Sequence, residues 1–176
     1  MKSLFNHHQL QITIDRLAHQ LLEQHTNFEN TVIIGMQPRG VYLSDRIHQK
    51  IAALLPKVNI PYGKLDITFY RDDFKTHSGL AEAKETDILF SLENKNVILI
   101  DDVLYTGRTI RSGLEALVDF GRPNTVELLV LINRRFSREL PIQPDYVGMT
   151  VDAIGTQQVK VLWKEKDKKD EVVMIN

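Results

Sequence analysis

The sequence predicts an α/β fold, a mostly parallel twisted sheet flanked by helices. Two observations carry this. Apolar runs without polar alternation, "TVIIG" at 31–35, "VILI" at 97–100 and "TVELLVLIN" at 125–133, read as strands buried on both faces. Stretches of helical periodicity alternate with them, which is the order of βαβ units. In such a sheet, ligands are expected at the carboxyl ends of the strands.

Taken in order, Leu10, Ile14, Leu17, Ala18, Leu21 and Leu22 fall at helical spacing, with Asn6 and Gln9 placed to cap that helix. The strand at 31–35 leads into a turn at 36–40. A helix over 41–54 follows, on Val41, Leu43, Ile47, Ile51 and Leu54. "KLDITFY" (64–70) alternates as a half-buried strand does. Residues 71–87 are polar and unpatterned apart from Leu80, and a loop that long is functional or disordered. A strand over 97–101, a loop over 102–108 and a helix from about 109 to 120 come next, closed by Gly121 and Pro123. Strands at 125–133, 145–151 and 159–163 precede "KEKDKKDE" (164–171), a mixed-charge turn read as solvated surface, and a last strand "VVMI".

The chain of 176 residues is expected to form one domain over 1–176. Its 22 Lys and Arg against 23 Asp and Glu argue against a mainly non-specific nucleic-acid binder. With no Cys, disulfides, zinc-thiolate sites and thiol nucleophiles are excluded. No apolar run reaches membrane-spanning length and no signal-peptide core opens the chain, so a cytoplasmic setting is expected.

The stretch "VILIDDVLYTGRTIRSG" (97–113) carries the chemistry. Adjacent Asp101 and Asp102 disfavour each other's ionisation, and they stand just before Thr106, Gly107, Arg108 and Thr109. Backbone N–H groups between a strand end and a helix start make an anion site, which Gly107 lets a phosphate approach closely. The carboxylates suit hydroxyl groups or a hydrated Mg²⁺ beside it. Phosphate with vicinal hydroxyls describes a ribose 5-phosphate. On spacing alone, an acidic strand end with a Thr helix cap is the competing reading. A Walker phosphate loop is absent.

With these residues named, the chain resembles the type I phosphoribosyltransferases. The longer string "ILIDDVLYTGRTIRSGLEALVDFGRP", with "DRLAH", "GMQPRGVYL", "DITFYRDD", "REL" followed by "PI", and "DYVG", is similar to one branch of them. Its members attenuate pyrimidine operons and have uracil phosphoribosyltransferase activity. The resemblance implies that phosphoribosyl pyrophosphate and uracil yield UMP and pyrophosphate, with Mg²⁺ as cofactor. Implied partners are these substrates, UMP and UTP, a pyrimidine-operon mRNA hairpin and a second copy in a homodimer or larger assembly, but no membrane. A purine-type phosphoribosyltransferase, or an RNA-binding regulator with vestigial catalysis, stands as the alternative.

Residue roles are carried over the same way. Asp101 and Asp102 would bind the ribose hydroxyls and, partly through water, Mg²⁺. Val103, Leu104, Tyr105, Thr106, Gly107, Arg108 and Thr109 would cradle the 5′-phosphate side of the substrate. Pro38, Arg39 and Gly40 would face the pyrophosphate, joined by Arg71 from a hood over 71–87. Asn133, Arg134, Tyr146 and Val147 would line the base site, with Tyr146 stacking on the base or lying half-buried in the core. Tyr105 stands where purine enzymes carry an Asp, which favours a pyrimidine; Asn133 departs from both the Lys of those enzymes and the Asp of the attenuation branch. For RNA, Arg16, His19 and Arg138 match the branch. Asp15, Gln24, Gln143 and Met149 depart, removing three cations and adding an anion on a surface that relies on phosphate neutralisation. The family's pyrophosphate loop often holds a cis peptide. Here it falls on Gln37–Pro38, where proline lowers the cis cost to about 0.5–1 kcal/mol.

Overall fold

In the computed structural model, residues 2–71 and 85–175 are described. The elements are β1 (Lys2–Phe5), α1 (His7–Gln24), β2 (Thr31–Met36), α2 (Gly40–Leu54), β3 (Tyr62–Leu65), β4 (Asn96–Leu104), α3 (Arg108–Leu117), β5 (Thr125–Arg135), β6 (Tyr146–Asp152), β7 (Gln158–Leu162), α4 (Lys164–Asp167) and β8 (Glu171–Ile175). Five strands form a parallel sheet in the order β3-β2-β4-β5-β6, and β1-β8-β7 form a separate antiparallel sheet. The expected α/β class is therefore met, with the small second sheet added. Among the described residues, no helix is long and apolar enough to cross a membrane.

The unalternated apolar runs are explained by a core on each face. Along β2 every residue is buried: Ile33 joins the cluster under α1 and α2, while Val32, Ile34 and Met36 join the one that contains Ile110 and Leu117 of α3. The first helix has the expected cap, since the Asn6 side chain accepts from Gln9 N and the Gln9 side chain accepts from Asn6 N. This reciprocal pair satisfies two amides that a helix start leaves open.

Three boundaries differ from expectation. The strand expected over 64–70 is β3, which ends at Leu65 because its partner β2 ends at Met36, opposite it. Beyond it, Asp66 Oδ1 accepts from both Thr68 N and Thr68 Oγ1, which turns the chain into a short 3-10 segment at Thr68–Tyr70. The strand expected over 97–101 runs on to Leu104, leaving a loop of three residues before α3 rather than seven. Of the hood expected over 71–87, residues 72–84 lie outside the described residues; Asp87 forms a bridge with Lys64.

The charge run at 164–171 is not simply solvated surface. Asp170 is 8% exposed, and both its oxygens take the Arg46 guanidinium of α2, at 2.8 and 3.0 Å. Its Oδ1 also accepts from Lys164 N, at 2.9 Å. Arg46 in addition pairs with Glu165 and lies 4.9 Å from the Trp163 ring centroid. The Arg46 and Lys164 partners hold the Asp170 carboxyl below its ordinary range against the upward push of burial. Its stabilisation is thus complete above the ordinary carboxyl pKa and is lost as pH falls through the lower folded value. Replacing Asp170 with Ala leaves Arg46 with only the more exposed Glu165 carboxylate and Lys164 N without its acceptor, and is expected to cost about 2 kcal/mol in urea unfolding at pH 7. A cost below about 0.5 kcal/mol would return the run to solvated surface.

Candidate active site

The site lies at the carboxyl ends of β2 and β4, where two loops face each other. Asp101 and Asp102 sit inside β4 and are buried, with Asp101 paired in register to Val130 of β5. Gly40 packs against Asp101 and Arg39 lies beside Asp102, so both carboxyls are largely shielded from water. Burial first, and then the charge of Asp102, push the Asp101 carboxyl well above its ordinary range. Burial also raises Asp102, while the nearby Arg39 cation works in the opposite direction. Arg39 Nε is 3.6 Å from Asp102 Oδ2. Asp101 Oδ1 accepts from the Asp102 backbone N–H at 2.9 Å, which fixes that side chain against its own strand.

Opposite stands the turn at 37–39, with a cis Gln37–Pro38 bond, as expected. Gly40 opens α2 directly against the acidic strand. A Cβ there would lie 2.9 Å from both Asp101 Cα and Asp101 Oδ1, so this approach admits only glycine. Between turn and strand is a cavity of about 230 Å³, lined by Pro38, Arg39, Arg71, Asp101, Asp102 and Thr109 among others. The expected pyrophosphate and ribose residues are therefore brought together.

The expected phosphate loop also closes as a unit. Gly107 is left-handed at φ 94° and caps α3 without a side chain, so it cannot itself occupy the first-turn amides. Thr106 O accepts from Glu139 N and Leu140 N, at 3.0 and 3.2 Å, which ties the loop to the segment after β5. Arg108 Nε donates to Glu139 at 2.7 Å.

A second cavity, of about 510 Å³, is lined by Asn133, Arg134, Arg138, Ile142 and Val147 among others. Arg138 donates to Asn133 Oδ1 at 2.6 Å and to the Tyr105 carbonyl. The Arg134 guanidinium lies 3.9 Å from the Tyr105 ring centroid and donates to Gln157 O at 2.8 Å, while its buried Nε has no hydrogen-bond partner among the described groups. Arg138, expected on an RNA face, is thus built into this cavity. Arg16 donates to the carbonyls of Val147 and Gly148, and His19 Nδ1 lies 2.7 Å from Asp15 O; both are on α1.

Tyr146 is not brought to the cavity. It is 9% exposed in the core under α1, and its hydroxyl donates to Glu127 at 2.6 Å, with Glu127 in turn 2.9 Å from His25. A half-buried core tyrosine was the competing reading, and register explains it: Tyr146 starts β6 opposite Leu129, four residues before Asn133. Sequence reasoning missed Asp167, whose Oδ2 accepts from Arg39 Nη2 at 2.8 Å; its signal was one acidic residue within the charge run at 164–171.

Comparison with known proteins agrees with this arrangement. The family model described as "Phosphoribosyl transferase domain" matches residues 1–164. The bifunctional protein PyrR of Desulfosudis oleivorans is 49% identical over 159 residues, covering 90% of this chain and 87% of that one. The bifunctional protein PyrR of Elusimicrobium minutum is 44% identical over 167 residues, covering 95% and 92%. Among solved structures, a hypoxanthine phosphoribosyltransferase of Staphylococcus aureus superposes with a TM-score of 0.71 at 21% identity, covering 97% of this chain and 90% of that one. That of Trypanosoma cruzi gives 0.72 at 16%, covering 99% and 95%. At such identities the structures share the fold.

The raised Asp101 and Asp102 carboxyls have a consequence for stability. Between the ordinary and the raised pKa the native chain binds more protons than the unfolded one, so its stability falls as pH rises. Asp101→Asn keeps the acceptor for Asp102 N and removes one charge. In metal-free protein it is expected to melt at least about 2 °C above the parent at pH 7, with the gap closing as pH falls toward about 4. A lower melting point at pH 7 would contradict the sign.

Proposed function

The chain belongs to the phosphoribosyl transferase family, and on that premise we propose that it is a bifunctional protein of the PyrR type. It joins uracil to the ribose of phosphoribosyl pyrophosphate, releasing pyrophosphate and UMP, and it regulates pyrimidine genes through an mRNA hairpin. The carrying observation is the buried Asp101–Asp102 pair facing the Pro38–Gly40 turn across one cavity. Two adjacent carboxyls kept from water are costly unless hydroxyl donors or a cation meet them, and a ribose and Mg²⁺ supply both.

The residues present fit Mg²⁺. This ion is commonly held by one or two carboxylates together with substrate phosphates. Asp101 and Asp102 would hold the ion, and when bound it offsets charge on the pyrophosphate. Arg39 adds positive charge from the opposite side of the cavity. Arg108 N, the first amide of α3, donates to Thr106 Oγ1 at 3.3 Å, and the first-turn amides after it receive the 5′-phosphate. Uracil N1 bonds to the ribose carbon as the C–O bond to pyrophosphate breaks, the oxygen leaving with the bonding pair and the N1 proton passing to the departing pyrophosphate or to solvent. Positioning and electrostatics therefore supply most of the acceleration.

The second cavity supports a pyrimidine. Arg138 takes Asn133 Oδ1, which leaves the Asn133 Nδ2 group, on the cavity wall, to donate to a uracil carbonyl. RNA contact would fall to α1, through Arg16 and His19. The chain would act as one unit in the cytoplasm, as a homodimer or larger assembly.

The test supplies phosphoribosyl pyrophosphate, Mg²⁺ and uracil, hypoxanthine, guanine or orotate in turn. UMP is the expected product, and exchanging Asp101 and Asp102 together for Asn is expected to lower its formation at least about a hundredfold without altering the circular-dichroism spectrum. Near-normal turnover in that double variant, or turnover of purines alone, would overturn the assignment.

A further inference from the structure

We propose that Asp167 is a positioning residue for pyrophosphate binding, holding the Arg39 guanidinium at the cavity mouth; this rests on the phosphoribosyltransferase reading above. Arg39 Nη2 donates to Asp167 Oδ2 at 2.8 Å and to the Val161 carbonyl. Those two bonds use both N–H groups of Nη2 and Nε faces Asp102 Oδ2 at 3.6 Å, leaving Nη1 for an anion in the cavity that Arg39 lines. A long side chain already fixed in its binding orientation loses less freedom when its ligand arrives.

Asp167 is itself held in place. Its Oδ2 accepts from Trp163 N at 2.9 Å, and Trp163 is fully buried. The Arg46 fork binds Glu165 and Asp170 on either side of it, anchoring α4 to α2. A chain of fixed contacts thus runs from α2 through α4 to the Arg39 guanidinium. The Trp163 amide and Arg39 keep the Asp167 carboxyl below its ordinary range, so it is charged at neutral pH. Asp167 lies beyond residue 164, where the family model ends, within the stretch whose charges read as plain surface in the sequence.

The test pairs binding with kinetics on the full chain. Phosphoribosyl pyrophosphate with Mg²⁺ is titrated into the parent, Asp167→Asn, Arg39→Ala and the double variant, and steady-state constants are measured alongside. The Asn side chain still accepts from Trp163 N but loses the charge that fixes Arg39. It is expected to weaken phosphoribosyl pyrophosphate binding about tenfold and raise its KM equally, while kcat moves less than about threefold and the KM for uracil holds. Asp167→Glu is expected to recover affinity to within about threefold. With Arg39 already removed, Asp167→Asn is expected to change binding less than about twofold. Should Asp167→Asn melt early, Asp167→Thr serves with the same expected loss. Unchanged or tighter binding in the charge-removed variant, or an equal loss in the Arg39→Ala background, would overturn the positioning role alone. A parent protein that neither binds phosphoribosyl pyrophosphate nor forms UMP would overturn the functional reading and this inference with it.

Discussion

The architecture turns on two carboxyls placed side by side within a central strand. Asp101 and Asp102 belong to β4, between β2 and β5, and the start of α2 at Arg39 and Gly40 packs against them and shields them from water. Burial pushes both carboxyls upward, the charge of Asp102 adds to this at Asp101, and Arg39 offsets part of it at Asp102. Folding therefore retains an electrostatic cost at the point where a sugar and a divalent cation would relieve it. Strain of this kind persists only where surrounding structure holds it, and here two hydrophobic cores do so, one on each face of the sheet.

The other features serve that pair. Gly40 lets α2 begin against Asp101 where any side chain would collide. Gly107 turns the chain from β4 into α3 so that only three residues separate Leu104 from the helix start at Arg108. The small antiparallel sheet delivers Trp163 and α4 to the back of the Arg39 turn, and Arg46 clamps them to α2. The Arg39 side chain is thus held by a segment far from the acidic strand in sequence.

Much of this was legible from sequence where the determinants are local. Apolar runs marked β2, β4 and β5, the Asn6 and Gln9 pair marked the start of α1, and the proline marked the cis bond at 37–38. What escaped depends on distant partners. β1 has no apolar pattern of its own and exists because Ser3 pairs with Val173 at the other end of the chain. The end of β3 is set by where β2 stops, and the depth of Asp101 and Asp102 by how far β5 runs alongside β4. Asp167 and Asp170 sit in a run of alternating charge that only the fold shows to be gripped by two arginines. Tyr146 was drawn to the base by resemblance, whereas the register of β6 places it in the core with Glu127.

The most direct measurement is a pH titration of the Asp101 and Asp102 carboxyl carbons by NMR, in free protein and in protein saturated with Mg²⁺ and phosphoribosyl pyrophosphate. In the free protein both midpoints should lie above the ordinary aspartate value of about 3.9, and on saturation they should fall by at least about one unit as the carboxylates acquire partners. Ordinary midpoints in the free protein, or midpoints that stay in place on saturation, would contradict an acidic pair held in readiness for sugar and metal.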